Sequence, residues 1–286
     1  MLNSPKVPPV RVNMTIAVKS LEPELWQPIY VMVRNVNQHR NLIFDLAWRD
    51  LRSRYKGSYL GFLWTFLNPL LLMATYSVIF SFMSRFDIPH YAMYVLLNVV
   101  VWQFLSVSIL ESATALQNSS SLISKTSLPP EIIIAKTVLA HALNFIMALF
   151  VTLTVGIIFF HVSGWLLLSL PFVILILVLF SFLASIFVGL ISVFFRDVQP
   201  VLANIMTVIF FASPIVYAYD HTPAKAKAAL LFQPFAQLLR LSSDLFFWNR
   251  WPAWSCLTAI FFHLIILMFL AAWALSFTRG RIAEKI

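Results

Sequence analysis

The chain has 286 residues, 60% of them hydrophobic and only 11% charged, with a mean hydropathy of +0.86. That balance excludes a water-soluble domain of this size and describes an integral membrane protein. The net charge of +9 comes without a polar domain to display it, which favours the positive-inside bias of membrane loops over nucleic-acid binding.

Residues 1–41 are polar and mixed, with no short apolar core after a basic start. No cleavable signal peptide is expected there, and the segment reads as cytoplasmic. From 42 to 56 the pattern changes. At 100° per residue Phe44, Ala47, Trp48, Leu51 and Tyr55 fall on one stripe, so an amphipathic helix is expected. Asp45 and Arg49, and Asp50 and Arg54, stand four apart with the acid first, the favourable order for ion pairs on one helix surface. Trp48 and Tyr55 suit the headgroup zone, and the cations of RDLRSRYKGSYLGFLW (49–64) suit anionic lipid. The helix is expected to lie on the inner leaflet. Gly57-Ser58 then offers a point at which the chain turns into the bilayer. A plain positive-inside anchor accounts for the charges too, but has no need of the apolar stripe.

Six segments of 59–286 are long enough to cross about 30 Å of hydrocarbon: 60–84, 88–110, 132–160, 165–195, 198–219 and 253–278. The fourth is long enough that it must tilt, kink at Pro171 or protrude. With the N-terminus inside, Arg34, Arg40, Arg49, Arg52, Arg54, Lys56, Lys125, Arg196, Arg279, Arg281 and Lys285 are cytoplasmic. Only Arg85, Lys225, Lys227, Arg240 and Arg250 lie outside, so both termini are expected in the cytoplasm.

Between the second and third spans, LQNSSSLISKTSLPPEIIIAK (116–136) holds a possible helical turn near Leu122 and a stop at Pro129-Pro130. Leu122, Ile123 and Leu128 beside Lys125 would suit the groove of a cytosolic partner, or would pack on the membrane domain itself. Between the fifth and sixth spans, 220–252 reads as two short amphipathic helices broken at Gln233-Pro234. They are expected to be re-entrant on the outer face, the alternative being a loop lying on the headgroups. The expected fold is therefore all-α, with six transmembrane helices, an N-terminal interfacial helix and two short outer helices.

Chemistry-bearing residues are few. G-x-x-x-x-G-K-[ST] and G-x-G-x-x-G are both absent, so no nucleotide site is encoded. The single Cys256 excludes an intrachain disulfide and a cysteine metal site, and reads as a small apolar filler. Within the spans, His141, His263 and Glu111 are ionisable and by default functional. Two isolated histidines make a thin proton relay, so they are read as neutral and hydrogen-bonded. A membrane-embedded enzyme would need converging acids, a His-Asp pair or a metal cluster, and the spans offer only Glu111 and the scattered histidines; a channel would need a filter or an acidic ring, and none stands out.

Four stretches in order resemble the permease subunits of type 2 ABC transporters, in the branch that exports polysaccharides and polyol phosphates (O-antigen, capsule, teichoic acid). They are RDLRSRYKGSYLGFLWTFLNPLL, LLNVVVWQFLSVSILESATALQNSSSLISKTSLPPEIII, SVFFRDVQPVLANIMTVIFFASPIVY and FQPFAQLLRL, spread over about 42–241. Leu128-Pro129 stands where the family has Phe-Pro, and Gln233-Pro234 where it has Asn-Pro; neither change removes the proline.

The resemblance implies a homodimeric half-transporter of the cytoplasmic (inner) membrane. It would serve two copies of a separate cytosolic ABC ATPase, with ATP and Mg²⁺ on that partner and no cofactor in this chain. It makes Leu122, Ile123, Lys125, Leu128, Pro129 and Glu131 the coupling helix, and 42–58 a gate helix. There Arg49, Arg52, Arg54, Tyr55 and Lys56 would meet the pyrophosphate of a lipid-linked glycan, in competition with simple headgroup attraction. The outer helices would be an external gate, and Arg196 and Asp197 an inner-end pair or a topology-setting one. Sugars stack on aromatic rings, which makes Trp64, Tyr76 and Trp102 path-lining candidates. A drug or lipid exporter of the same class is the alternative, although that branch generally carries a larger outer domain or a fused ATPase.

Overall fold

The computed structural model describes residues 27–81, 88–126, 128–160, 168–195 and 197–278. Every regular element among them is helical: α1 (Gln27–Gln38), α2 (Arg40–Tyr55), α3 (Trp64–Ser81), α4 (Tyr91–Asn118), α5 (Ser120–Thr126), α6 (Pro130–Phe160), α7 (Leu170–Ser192), α8 (Val198–Ala212), α9 (Ala224–Leu231), α10 (Pro234–Phe246) and α11 (Trp254–Thr278). Four of them, α4, α6, α7 and α11, are long and apolar enough to cross a membrane. Together with the large apolar side chains exposed on their surfaces, such as Phe150, Phe172 and Phe261, this is the build of a multi-pass membrane protein.

The centre is α4, buried without a break from Met93 to Trp102 and packed by α3, α6, α7, α8 and α10. A helix enclosed on all sides needs close neighbours, and α4 meets α7 through small residues. Ser108 Oγ lies 2.5 Å from Ser181 Oγ, and Ser185 Oγ donates to the Ser108 carbonyl at 3.4 Å. A Cβ on Gly189 would sit 2.9 Å from both the Ser112 carbonyl oxygen and Ile134 Cδ1. At the end of this seam Gln117 Nε2 donates to the Ser192 carbonyl at 2.9 Å.

Helix ends follow the local chemistry, and three differ from the sequence expectation. Pro171 occupies the first turn of the 23-residue α7, where its missing N–H costs nothing, and so starts the helix rather than kinking it. Helix α8 stops after 15 residues at Ala212 because Ser213, preceding Pro214, is extended (φ −96°, ψ 152°). It is about 22 Å long, so the fifth segment is not helical throughout 198–219. Third, residues 27–38, expected to be part of a polar segment, form α1. Ile29, Met32 and Val36 line the side that faces the bundle, and the spacing of three and four was there to be read.

The non-helical backbone after α8 is satisfied by the start of α4, as backbone buried among apolar helices must be. Tyr94 Oη lies 2.9 Å from the carbonyls of both Pro214 and Tyr217 and shares its one proton between them, while Tyr91 Oη donates to the Val216 carbonyl at 2.9 Å. Gln233 Nε2 donates to Ser213 Oγ at 2.8 Å, and Ser243 Oγ to Asn98 Oδ1 at 2.9 Å. All of α10 except Pro234 and Arg240 is buried. Arg250 Nη2 reaches Asp220 and Asp244, each at 2.6 Å, and Arg240 stacks 4.0 Å over the Tyr219 ring. Burial alone would lower the Arg250 pKa, but its hydrogen bonds to the two carboxylates outweigh this and hold it raised.

Cys256 is buried with Sγ 3.4 Å from the Gln237 carbonyl, consistent with a filler. His263 sits with Nε2 3.1 Å from the Phe232 carbonyl, so Nε2 carries the proton and ties α11 to the end of α9. Gly189→Ala is expected to force α4 and α7 apart and to destabilise the bundle by about 1–3 kcal/mol, read as a lowered melting temperature in detergent. Gly57→Ala, where no atom lies within 4 Å of the added carbon, carries only the cost of its positive φ.

Candidate functional site: a cationic helix across two clefts

Helix α2 does not bury the stripe expected for it. Ile43, Ala47 and Leu51, four apart, are buried with α6 as the main neighbour, whereas Phe44 and Trp48 are 50% and 40% exposed. These two rings stack in nearly parallel planes with centroids 6.4 Å apart, and the Arg52 guanidinium lies 5.2 Å over Trp48. The apolar stripe is therefore divided: one row packs on protein, and the adjacent row faces outward as an aromatic pair under a cation. Lys56 ends the helix, and Gly57 turns the chain at φ +83°, a conformation that suits glycine, in agreement with the expected turn.

The acids and bases of α2 also pair differently from the expectation. Instead of Asp50 with Arg54, Asp50 takes Lys136 of α6, and Arg54 Nη2 donates to Glu111 Oε2 of α4 at 2.6 Å. His141 Nε2 lies 2.8 Å from the same carboxylate oxygen and 3.0 Å from Arg54 Nη2. Arginine cannot accept, so the favourable assignment places the proton on Nε2, donating to Glu111, with the arginine as a close neighbour. Asp45 and Arg49 form no ion pair among the described residues. A surface pair gains little from water, while the cross-element partners hold α2 in place.

Two open clefts meet at Arg54. One, of about 550 Å³, is lined by Asp50, Arg54, Glu111, Thr114, Asn118, Ser119, Lys136 and Thr137. The other, of about 460 Å³, runs further along α4 and α6 and is lined by Arg54, Val100, Gln103, Phe104, Val107, His141, Asn144 and Phe145 among others. The Arg54–Glu111–His141 cluster stands where the two clefts adjoin.

The remaining predicted residues take varied positions. Arg49 and Lys56 are exposed, and Trp64 is partly exposed at the start of α3. Trp102 is 7% exposed and packed against Phe210 and Phe235, as a core residue. The side chains of Tyr55 and Tyr76, and all of Arg196, lie outside the described residues; Asp197 is exposed at the start of α8.

In the α4–α6 connection, Leu122 and Ile123 are half-buried against the α4–α6–α7–α11 core, and Leu128 packs beside Ile43 and Ile132. They cover their own domain rather than standing in water. Lys125 and Thr126 are exposed, and Pro129 is half-buried ahead of α6. Glu131 is not displayed to a partner either: it is 5% exposed in the first turn of α6, where a carboxylate suits the helix dipole, and accepts from Asn35 Nδ2 of α1 at 2.7 Å.

Residues missed at the sequence level are Lys136, Asn35, Thr114 and Asn118. With Glu111, which had been singled out, Thr114 and Asn118 repeat at three and four in an otherwise apolar helix, and that spacing was the available signal.

The geometry defines a helical membrane protein with a cationic helix seated across clefts at one end of its bundle. Residues 41–247 match the model of the ABC-2 type transporter family. The chain is 30% identical to an "O-antigen export system permease protein RfbA" of Myxococcus xanthus over 257 residues, covering 89% of this chain and 99% of the relative. It is 28% identical to a Klebsiella pneumoniae protein of the same description over 261 residues, covering 88% and 98%. The chain belongs to the ABC-2 type transporter family.

Asn35→Ala is expected to leave Glu131 buried without its amide donor and to cost about 1–3 kcal/mol, read by thermal unfolding. It should also speed amide hydrogen exchange in α1.

Proposed function

We propose that this chain is the permease subunit of an ATP-driven exporter of lipid-linked polysaccharide, of the O-antigen type, in the cytoplasmic membrane. The observation that carries the reading is the cationic α2, held by ion pairs beside two clefts along α4 and α6, in a chain whose relatives are described as O-antigen export permeases. In this reading α3 and α8 complete six spans, both termini are cytoplasmic, and α9 and α10 are re-entrant on the outer face. Two copies pair around the path, served by two copies of a cytosolic ABC ATPase that holds ATP and Mg²⁺.

Such a permease performs no bond chemistry. Helix α5, with exposed Lys125, presses on the ATPase. ATP binding draws the two ATPases together, and the motion enters the bundle where Leu122 and Ile123 pack on it. A glycan on a polyprenyl pyrophosphate is too long to be enclosed, so it passes in steps. The cations Arg49, Arg52, Arg54 and Lys56 receive its charged end, and exposed aromatic rings such as Trp64 offer stacking faces to sugars.

The test is co-purification with the partner ATPase, followed by ATP hydrolysis in liposomes carrying lipid-linked O-antigen, a lipid-linked polyol phosphate or phospholipid alone. Stimulation by the glycan is expected. Failure to associate, or indifference to every glycan, overturns the proposal. Lys125→Glu, a change at an exposed site, is expected to weaken ATPase association by about tenfold or more with insertion unchanged. Normal co-purification would remove α5 from the coupling role.

A further inference from the structure

The cleft lined by Asp50, Arg54, Glu111 and Lys136 sets two cations against two carboxylates, so both of its cations are already occupied. Arg54 is held by Glu111 at 2.6 Å and Lys136 by Asp50. Hydroxyl and amide side chains of Thr114, Asn118 and Thr137 stand around them. From this geometry we infer that the cleft between α2, α4 and α6 is a diphosphate-binding site whose carboxylates act as internal counter-ions, displaced when the anion arrives. The inference rests on the export reading and adds to it the exchange of ion-pair partners by which substrate would engage α2.

Three observations make the exchange feasible. The pairs are partly open to water, with side-chain exposures of 34% and 45% for Arg54 and Glu111 and 15% and 31% for Lys136 and Asp50. Pairs exposed to that degree gain little over hydration, whereas a diphosphate offers more charge and more acceptor oxygens than one carboxylate, and the arginine fork suits two of them.

The displaced Glu111 is also not stranded. His141, almost completely buried, keeps Nε2 2.8 Å from the Oε2 that Arg54 releases. The carboxylate therefore passes from two donors to one. Finally, both exchanged pairs join α2 to the bundle, so binding the anion breaks the direct tie of α2 to α4 and replaces its tie to α6 by a bridge through the anion. Arg54 lines the second cleft as well, and its release opens the wall between the two.

The chain alone, without ATPase, is reconstituted in phosphatidylcholine nanodiscs. It is titrated with inorganic pyrophosphate by calorimetry, and in parallel with nanodiscs containing a polyprenyl diphosphate or phosphatidylglycerol. Arg54→Ala is expected to weaken binding of both diphosphates more than tenfold, and Lys136→Gln to weaken it as well, which keeps the test open if the first variant fails to fold. Glu111→Gln, which removes the competitor, is expected to tighten binding about fivefold, and to have no effect on the Arg54→Ala background. Asp45→Asn, an exposed acid outside the cleft, is expected to leave the affinity within about twofold.

Unchanged or weaker binding in Glu111→Gln overturns the counter-ion exchange. Equal, Arg54-dependent binding of phosphatidylglycerol overturns diphosphate selectivity, and binding of inorganic pyrophosphate alone overturns the lipid-linked ligand. None of these outcomes depends on ATP hydrolysis, so the export reading stands or falls separately on glycan-stimulated turnover.

Discussion

Close approach of α4 to α7 is the constraint on which the other positions depend. Between helices surrounded by lipid there is no hydrophobic drive to associate, and packing with interhelical hydrogen bonds must supply the attraction. Ser108, Ser112, Ser181, Ser185 and Gly189 leave so little volume between the two that hydroxyls reach across the contact. That leaves the rest of α4 free to be enclosed by α3, α6, α8 and α10, and its surface there is filled by Leu97, Leu105, Ile109 and Phe104. One helix thereby becomes the reference against which the others are placed.

The attachments of the elements differ in kind. Within the bundle the contacts are apolar, aromatic or made by hydroxyls to backbone. The α1–α2 pair keeps a narrow apolar row, Met32, Ile43, Ala47 and Leu51, and is otherwise tied by Asn35 to Glu131, Asp50 to Lys136 and Arg54 to Glu111. Links of this kind are partly hydrated and individually weak.

Much of this architecture was legible because helix boundaries are local. Pro130 and Pro171 open their helices in the first turn, where the missing N–H costs nothing, while Pro214 and Pro234 follow residues held extended, Ser213 and Gln233, and the two short helices α9 and α10 were visible from their break at Gln233-Pro234. What could not be read was pairing across distance. Asp50 and Arg54 satisfy the rule for a pair on one helix, yet each finds a partner on another, and nothing local distinguishes the two outcomes. Trp102 illustrates the same limit in apolar residues. A membrane tryptophan suits a path, an interface or a core, and only its contacts with Phe210 and Phe235 decide for the core. Half of the site was visible as single residues, Arg54, Glu111 and His141, but their convergence depended on the packing of α4 against α6.

Tyr94 and Glu111 lie on the same rigid helix, 17 positions apart in number, or about 26 Å along its axis. Near one end α4 grips the unwound chain that leads to the short helices, through Tyr91, Tyr94 and Asn98. At the other it grips the cationic helix through Glu111. One helix is thus fixed at two distant places by different means, by phenol hydroxyls to open backbone at Tyr91 and Tyr94 and by a carboxylate to a guanidinium at Glu111.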